Sequence, residues 1–328
     1  MRHLTSSLLA LCLMAGLVGG ASAQDTDPAS NEGALFLLLP VGARSVALGR
    51  AMTAMEGPEA AFWNPAGLAA VDRSQVVLFR GDHAVGTATA ISLLAARPGL
   101  GTLGLSYFLL DVGDQEVTDV DGNVVGTITV RNHLGVASFA TRLLDRLDAG
   151  INFKVVQFRQ SCRGLCTDAG TTGTTYAIDA GIQLTPVPDL PLRFGAMVAH
   201  VGPGLQVINA AQTDPLPARA RVAVAYDVLS SLTGVEDVGG WVTVEVQDRL
   251  RDPGSPALYL GSEITAGSGD ALFLRAGYVM GDIGQENGAR VGLGLSYQRF
   301  DLSIAKSLAV STLTGETEPV HVTFAIRF

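Results

Sequence analysis

Val320-His321-Val322-Thr323-Phe324-Ala325-Ile326-Arg327-Phe328 puts an apolar side chain at every second position: Val320, Val322, Phe324, Ile326 and Phe328. A period of two is the mark of a strand with one apolar face. Left at the open edge of a soluble sheet, such a strand would be an aggregation hazard. Its composition therefore points to a sheet that closes on itself.

Working backward from it, the chain reads as strand after strand. Fourteen candidates lie at roughly 74–82, 84–96, 100–110, 127–141, 147–159, 174–185, 191–201, 218–228, 239–248, 257–265, 271–280, 288–297, 300–309 and 318–328. Most are near ten residues, the length a tilted strand needs to cross a bilayer. In 288–297, Val291, Leu293, Leu295 and Tyr297 share one face, and Arg290, Gly292, Gly294 and Ser296 the other. In 218–228, Val222, Val224 and Tyr226 oppose Arg221, Ala223, Ala225 and Asp227; in 100–110, Leu103, Leu105, Tyr107 and Leu109 oppose Thr102, Gly104 and Ser106. A sandwich would turn the apolar face inward, and a membrane barrel turns it to lipid. Alternation does not separate the two.

The connections do. One set is mostly long (111–126, 160–173, 202–217, 249–256, 281–287, 310–317) and the other mostly short (97–99, 142–146, 186–190, 266–270, 298–299). That asymmetry is the outer-membrane pattern. The turn at Asp82-His83 and the segment 229–238 depart from it. The expected fold is all-β: a fourteen-stranded antiparallel transmembrane barrel over 74–328, preceded by a small N-terminal segment over 24–73. The last strand resembles the C-terminal strand that barrel-assembly machinery receives, with Phe324, Ile326 and Phe328 as its signal.

Composition agrees. Charged residues make up 16% against roughly 25% in ordinary soluble chains, hydrophobic residues 48%, and 39 of 328 residues are Gly. Residues 1–23 read as a secretory signal: Arg2 and His3, an apolar core from Leu8 to Val18, and Ala21-Ser22-Ala23 at the cleavage site. The expected location is the cell outer membrane, with its lipid as the surrounding partner. The net charge of −9, about −10 once Arg2 is removed, argues against nucleic acid. Cys162 and Cys166 remain after cleavage; in an oxidising compartment they are a candidate disulfide, with two free thiols the alternative.

Few motifs carry chemistry. Gly99-Leu100-Gly101-Thr102-Leu103-Gly104 has the letters of a dinucleotide fingerprint, but Arg97-Pro98 precedes it and a strand follows, so it reads as a tight turn. Asp111, Asp114, Glu116, Asp119 and Asp121 crowd one loop; they are either a calcium site or solvated surface with a turn at Asp121-Gly122. The five His, at 3, 83, 133, 200 and 321, form no recognisable catalytic spacing. No enzyme and no cofactor is expected. By alternation Arg131, Lys154, Arg193, Arg221, Glu245, Glu263, Arg275 and Arg290 point into the lumen, where charges of both signs pair with one another or with a plug.

The partner for those charges is sought in Leu39–Leu68, rich in Ala, Gly and Ser and without a strand or helix period. Its segment Gly42-Ala43-Arg44-Ser45-Val46-Ala47-Leu48-Gly49-Arg50-Ala51 and its motif Asn64-Pro65-Ala66-Gly67-Leu68 resemble the Gly-Ala-Arg segment and Asn-Pro-Ala-Gly motif of the PorV/PorQ outer-membrane proteins. These belong to a wider group similar to the FadL long-chain fatty-acid transporters. Leu216-Pro217, Leu274-Arg275-Ala276-Gly277-Tyr278 and Gly292-Leu293-Gly294-Leu295 extend the match. The resemblance implies a fourteen-stranded barrel with an N-terminal hatch whose motif residues are Gly42, Arg44, Gly49, Asn64, Pro65, Ala66 and Gly67. It implies two functions. One is a type IX secretion component that receives cargo C-terminal domains; the other is a channel for hydrophobic compounds such as long-chain fatty acids. Asn64-Pro65 should stop any helix and turn the chain into the first strand.

Overall fold

The computed structural model describes residues 32–166, 170–187, 190–207, 213–233, 237–281, 287–310 and 320–328. The expected signal segment, 1–23, lies outside them. Fourteen antiparallel strands form one closed barrel: β1 Gln75–His83, β2 Gly86–Arg97, β3 Gly101–Thr118, β4 Val124–Leu144, β5 Leu147–Gly164, β6 Gly170–Leu184, β7 Leu192–Val201, β8 Arg219–Asp227, β9 Val238–Arg249, β10 Ala257–Ala266, β11 Ala271–Met280, β12 Gly288–Tyr297, β13 Phe300–Ser307 and β14 Val320–Arg327. Each strand pairs with its neighbours in sequence, and β14 closes on β1 from Gln75↔Arg327 to Gly81↔His321. Closure satisfies every edge, the condition for crossing lipid with strands.

The faces sort as the alternation predicts. In β12, Val291, Leu293 and Leu295 are exposed outward while Arg290, Gly292 and Ser296 are buried inward. In β14, His321, Thr323 and Ala325 are buried, and Val320 and its alternating apolar partners stand outward; Phe324 stacks on Phe300 of β13 at 6.1 Å. A barrel whose exterior is apolar and whose interior holds Lys154, Glu245 and Arg290 is the membrane arrangement, inverted from a soluble sandwich.

The two ends differ. At the near end, where β1 begins and β14 ends, connections are short except the one holding a short helix, α2 Val228–Thr233. At the far end β3 to β6 rise well beyond the expected boundaries. β3 and β4 pair as far as Thr118↔Val124, with a bulge between Asp111 and Asp114, and β5 and β6 pair as far as Ser161↔Gly170. The segments 111–126 and 160–173, expected as loops, are thus largely paired strand. Above the lipid both faces of a hairpin meet water, so the apolar alternation stops while the hydrogen-bond ladder continues. Most of 281–287 and 310–317 lies outside the described residues.

Candidate functional site: the plugged lumen

The segment before β1 fills the barrel. It runs through a 3-10 turn at Leu35–Leu38, helix α1 at Ala43–Ala47, and 3-10 turns at Pro58–Ala61 and Pro65–Ala70. Its small residues let its backbone lie against the wall, and the wall answers with glycine. A Cβ at Gly277 would fall 2.1 Å from the Gly49 nitrogen, and one at Gly150 would fall 2.3 Å from the Pro65 carbonyl carbon. Gly181, Gly195, Gly261 and Gly292 face the plug in the same way at Asn64, Thr53, Leu48 and Ala47.

Asn64 fixes the last turn of the plug. Its Oδ1 accepts from Ala66 N at 3.1 Å as the cap, with Pro65 at the first helical position. Its Nδ2 donates to Thr53 O at 2.7 Å and to Ile182 O of β6 at 3.1 Å, tying the cap to the wall. Gly42 has φ of +104°, and the Glu59 carboxylate occupies the place a Cβ would take there. That carboxylate accepts from Ser45 N at 2.8 Å and Arg44 N at 3.2 Å, and from the Thr323 hydroxyl at 3.2 Å. Burial pushes the Glu59 carboxyl above its usual range, and the Ser45 N–H and the Arg44 charge work against that shift.

The structure places Lys154, Arg193, Arg221, Glu245, Glu263, Arg275 and Arg290 inward, and brings most of them to the plug. Glu263 takes Arg44 Nε and Nη2, each at 2.7 Å, in a bidentate pair, and Arg275 Nε at 2.5 Å. Glu245 accepts from Thr53 N at 2.8 Å. Arg193 pairs with Glu56 at 2.9 Å and lies over Trp241 at 4.8 Å; Arg221 lies over Trp63 of the plug at 5.0 Å. Lys154 instead serves the wall, bonded to Asp179 at 2.5 Å. Arg131 is a correction. Its neighbours Asn132 and Leu134 are the inward residues, so Arg131 faces outward, exposed and paired with Asp111 at 2.9 Å.

Several residues of the network were not singled out by sequence. Asp179 accepts His200 N at 2.8 Å and Asn152 Nδ2 at 2.9 Å, and Asn152 also donates to Ala61 O of the plug. Gln183 donates to Thr53 O and Met55 O. Asp179 and Gln183 share the inward face of β6 with Ala177, so the same alternation marks them. Arg50, between Trp63 and Tyr259, donates to Leu38 O; its φ of +71° gave no sequence signal. Glu32 forms a bidentate pair with Arg219 at 2.8 Å, and Gly33 N donates to Pro215 O, so the plug's start reaches the far half of the barrel.

Between those charges and the far end is an apolar compartment. Phe36, Leu37 and Val41 pack there against inward residues of β1 to β6, among them Phe79, Phe108, Leu134 and Val156, and Leu205 and Leu216 cover it. Phe36 stacks on Phe108 at 6.4 Å, and Phe62 meets the same ring edge-on at 6.5 Å. The chain's own side chains occupy this space: an apolar cavity beside Val41, Phe62 and Phe79 holds ≈ 10 Å³. At the near mouth a cavity of ≈ 320 Å³ opens between plug and wall, lined by Arg44, Glu56, Glu263, Arg275 and Arg327 among others.

The remaining candidates lie elsewhere. Cys162 and Cys166 are joined in a disulfide on the far side of β5. The acidic residues sit on the β3–β4 hairpin. Asp114 accepts from Thr129 Oγ1, and Asp119 caps its own turn by accepting from Asp121 N and Asn123 N. No group of three His, Cys, Asp or Glu side chains suited to a metal occurs among the described residues.

No family model matches the sequence, and no curated protein matches it. Solved structures do. The toluene transporter TbuX of Ralstonia pickettii superposes with a TM-score of 0.57 at 13% identity, covering 88% of this chain and 98% of that one. The toluene transporter TodX of Pseudomonas putida gives 0.53 at 14%, covering 87% and 96%. A FadL homologue of Pseudomonas aeruginosa gives 0.51 at 12%, covering 88% and 98%. At these identities the likeness is one of fold: the chain is a FadL-like barrel. It does not extend to the PorV/PorQ group in particular.

Proposed function

We propose that this chain is an outer-membrane channel for hydrophobic small molecules, monoaromatic hydrocarbons being the probe class its structural neighbours suggest. The observation that carries this is the aromatic, apolar compartment inside a closed barrel, above a polar plug. Phe36, Phe62, Phe79 and Phe108 supply that compartment with an aromatic lining, and a narrow gap lies beside it. The compartment is filled by Phe36 and Leu37, so passage requires residues 35–41 to move aside. The fold is that of transport channels and gives no argument for catalysis. Protein export, the other role implied by Gly42–Ala51 and Asn64–Leu68, has no specific observation in its favour. Insertion through the barrel-assembly machinery, read from Phe324, Ile326 and Phe328, belongs to the same proposal.

The test is uptake. Radiolabelled toluene is given at low concentration to Gram-negative cells expressing the chain and lacking hydrocarbon channels of their own. Faster initial uptake than in vector controls is expected, and faster still with Phe36→Ala/Leu37→Ala. Uptake equal to the vector's, with heat-modifiable barrel present in the membrane, refutes the channel.

A further inference from the structure

On the outward face, the far end of β4 and β5 carries charge in an arrangement the lumen does not explain. Arg131 and Arg159 sit directly opposite each other in register on adjacent strands. Both are exposed. Like charges at opposed positions of a sheet repel unless something anionic lies between them. Arg131 has Asp111, and Arg159 faces Thr172 on its other side.

Their height is set by the strand. Ile151, Phe153 and Val155 are exposed apolar residues on the same outward face of β5, and Phe153 stacks on Tyr176. Arg159 lies beyond Val155 by about 13 Å of strand, roughly 9 Å of height at the usual tilt of ~45°. Between belt and arginines, the Tyr107 hydroxyl meets His133 Nδ1 at 2.7 Å, an amphipathic pair of the kind found where lipid tails give way to headgroups. The two guanidinium groups therefore stand at headgroup level, facing the membrane rather than the lumen.

We propose that this face is a lipid-headgroup site, in which a phosphate group of a membrane glycolipid is held between Arg131 and Arg159. Arginine suits it because a planar guanidinium can donate two parallel hydrogen bonds to phosphate oxygens. Arg163, farther along β5, extends the basic column for a second phosphate on the same headgroup. The nearby Asp114 and Glu116 limit the site to the β4–β5 side. The inference rests on the membrane-barrel reading but not on channel activity.

The experiment uses the full mature barrel, delipidated in uncharged detergent. Binding of a bis-phosphorylated diglucosamine lipid, of its dephosphorylated form and of inorganic phosphate is read by native mass spectrometry and titration. The phosphorylated lipid should bind the wild type at least about tenfold more tightly than the Arg131→Gln/Arg159→Gln variant, while the dephosphorylated lipid should not distinguish them. Equal affinity of both proteins for the phosphorylated lipid overturns the site. Inorganic phosphate binding as strongly as the lipid also overturns it, by showing a free-anion site. Heat-modifiable migration of the variant shows that its barrel is intact. Absence of that behaviour in the wild type would instead remove the membrane-barrel reading itself.

Discussion

Glu263→Gln should loosen the plug without opening the barrel. Glu263 is buried and holds two cations at once, Arg44 from the plug and Arg275 from β11, at 2.5 to 2.7 Å. Gln keeps the shape and removes the charge, leaving two guanidinium groups without the carboxylate they both touch and with Glu59 and Glu56 as the remaining nearby anions. Breaking a buried pair this way costs about 3–5 kcal/mol. The Arg44 side chain is 20% exposed at the near mouth, so the lower end applies. About 3 kcal/mol corresponds to roughly a 150-fold rise in the undocked population. The barrel ladder does not pass through these side chains, so heat-modifiable migration should be unchanged. The readout is maleimide labelling of Met55→Cys, a position 1% exposed at the plug's centre, in a chain whose cysteines among the described residues, Cys162 and Cys166, are joined. Labelling should accelerate about 100-fold or more in Glu263→Gln, the population shift expected above. Replacing Arg44, Glu263 and Arg275 together by Met should restore slow labelling, because an apolar cluster of similar volume needs no counter-ion. Unchanged labelling in Glu263→Gln refutes the claim that this cluster holds the plug.

Glu59→Gln should raise labelling of Met55→Cys roughly tenfold, because Ser45 N and Arg44 N donate to different carboxylate oxygens, and an amide offers one acceptor and turns its NH2 on the other N–H. Asn64→Ala removes a cap and two bonds, at about 1–2 kcal/mol, and should raise the same labelling roughly tenfold. Gly277→Val places a side chain on the Gly49 backbone, and should expose Met55→Cys fully while the barrel still migrates as folded. Deleting Phe328, which is 72% exposed at the near end and holds the wall there by one N–H bond to Ser74 O, should lower the amount of barrel assembled in the membrane while changing the unfolding free energy of the folded fraction by about 1 kcal/mol or less.

The strands were legible because lipid imposes the alternation that marks them. Where lipid ends, the mark ends too. Asp114 and Glu116 pair opposite Thr129 and Thr127 in an ordinary ladder, yet the apolar alternation does not continue there; the turn at Asp121-Gly122 is legible and present, while the paired arms on either side of it are expected as loop. The same limit misplaced Arg131: a charge on a strand suggests the lumen only inside the apolar belt, and Arg131 stands beyond it. Within the belt, Lys154, Glu245 and Glu263 were legible as inward by parity alone. Their partners were not. Arg44 meets Glu263 across 219 residues of sequence, and no local pattern encodes that distance. The plug was visible mainly as a lack of period, with Asn64-Pro65 its one local signal. Its glycine counterparts on the wall looked like ordinary small residues until Gly49 and Gly277 were seen face to face.

The most direct test of the channel reading is where a hydrophobic molecule sits. An aryl diazirine photolabel is equilibrated with the membrane-embedded barrel, with or without excess toluene, and adducts are mapped by mass spectrometry. The account predicts toluene-competed adducts on the inward residues Phe108, Leu134 and Val136, increased by Phe36→Ala/Leu37→Ala. Adducts confined to the lipid-facing Leu105 and Phe153, with none competed by toluene, would contradict it.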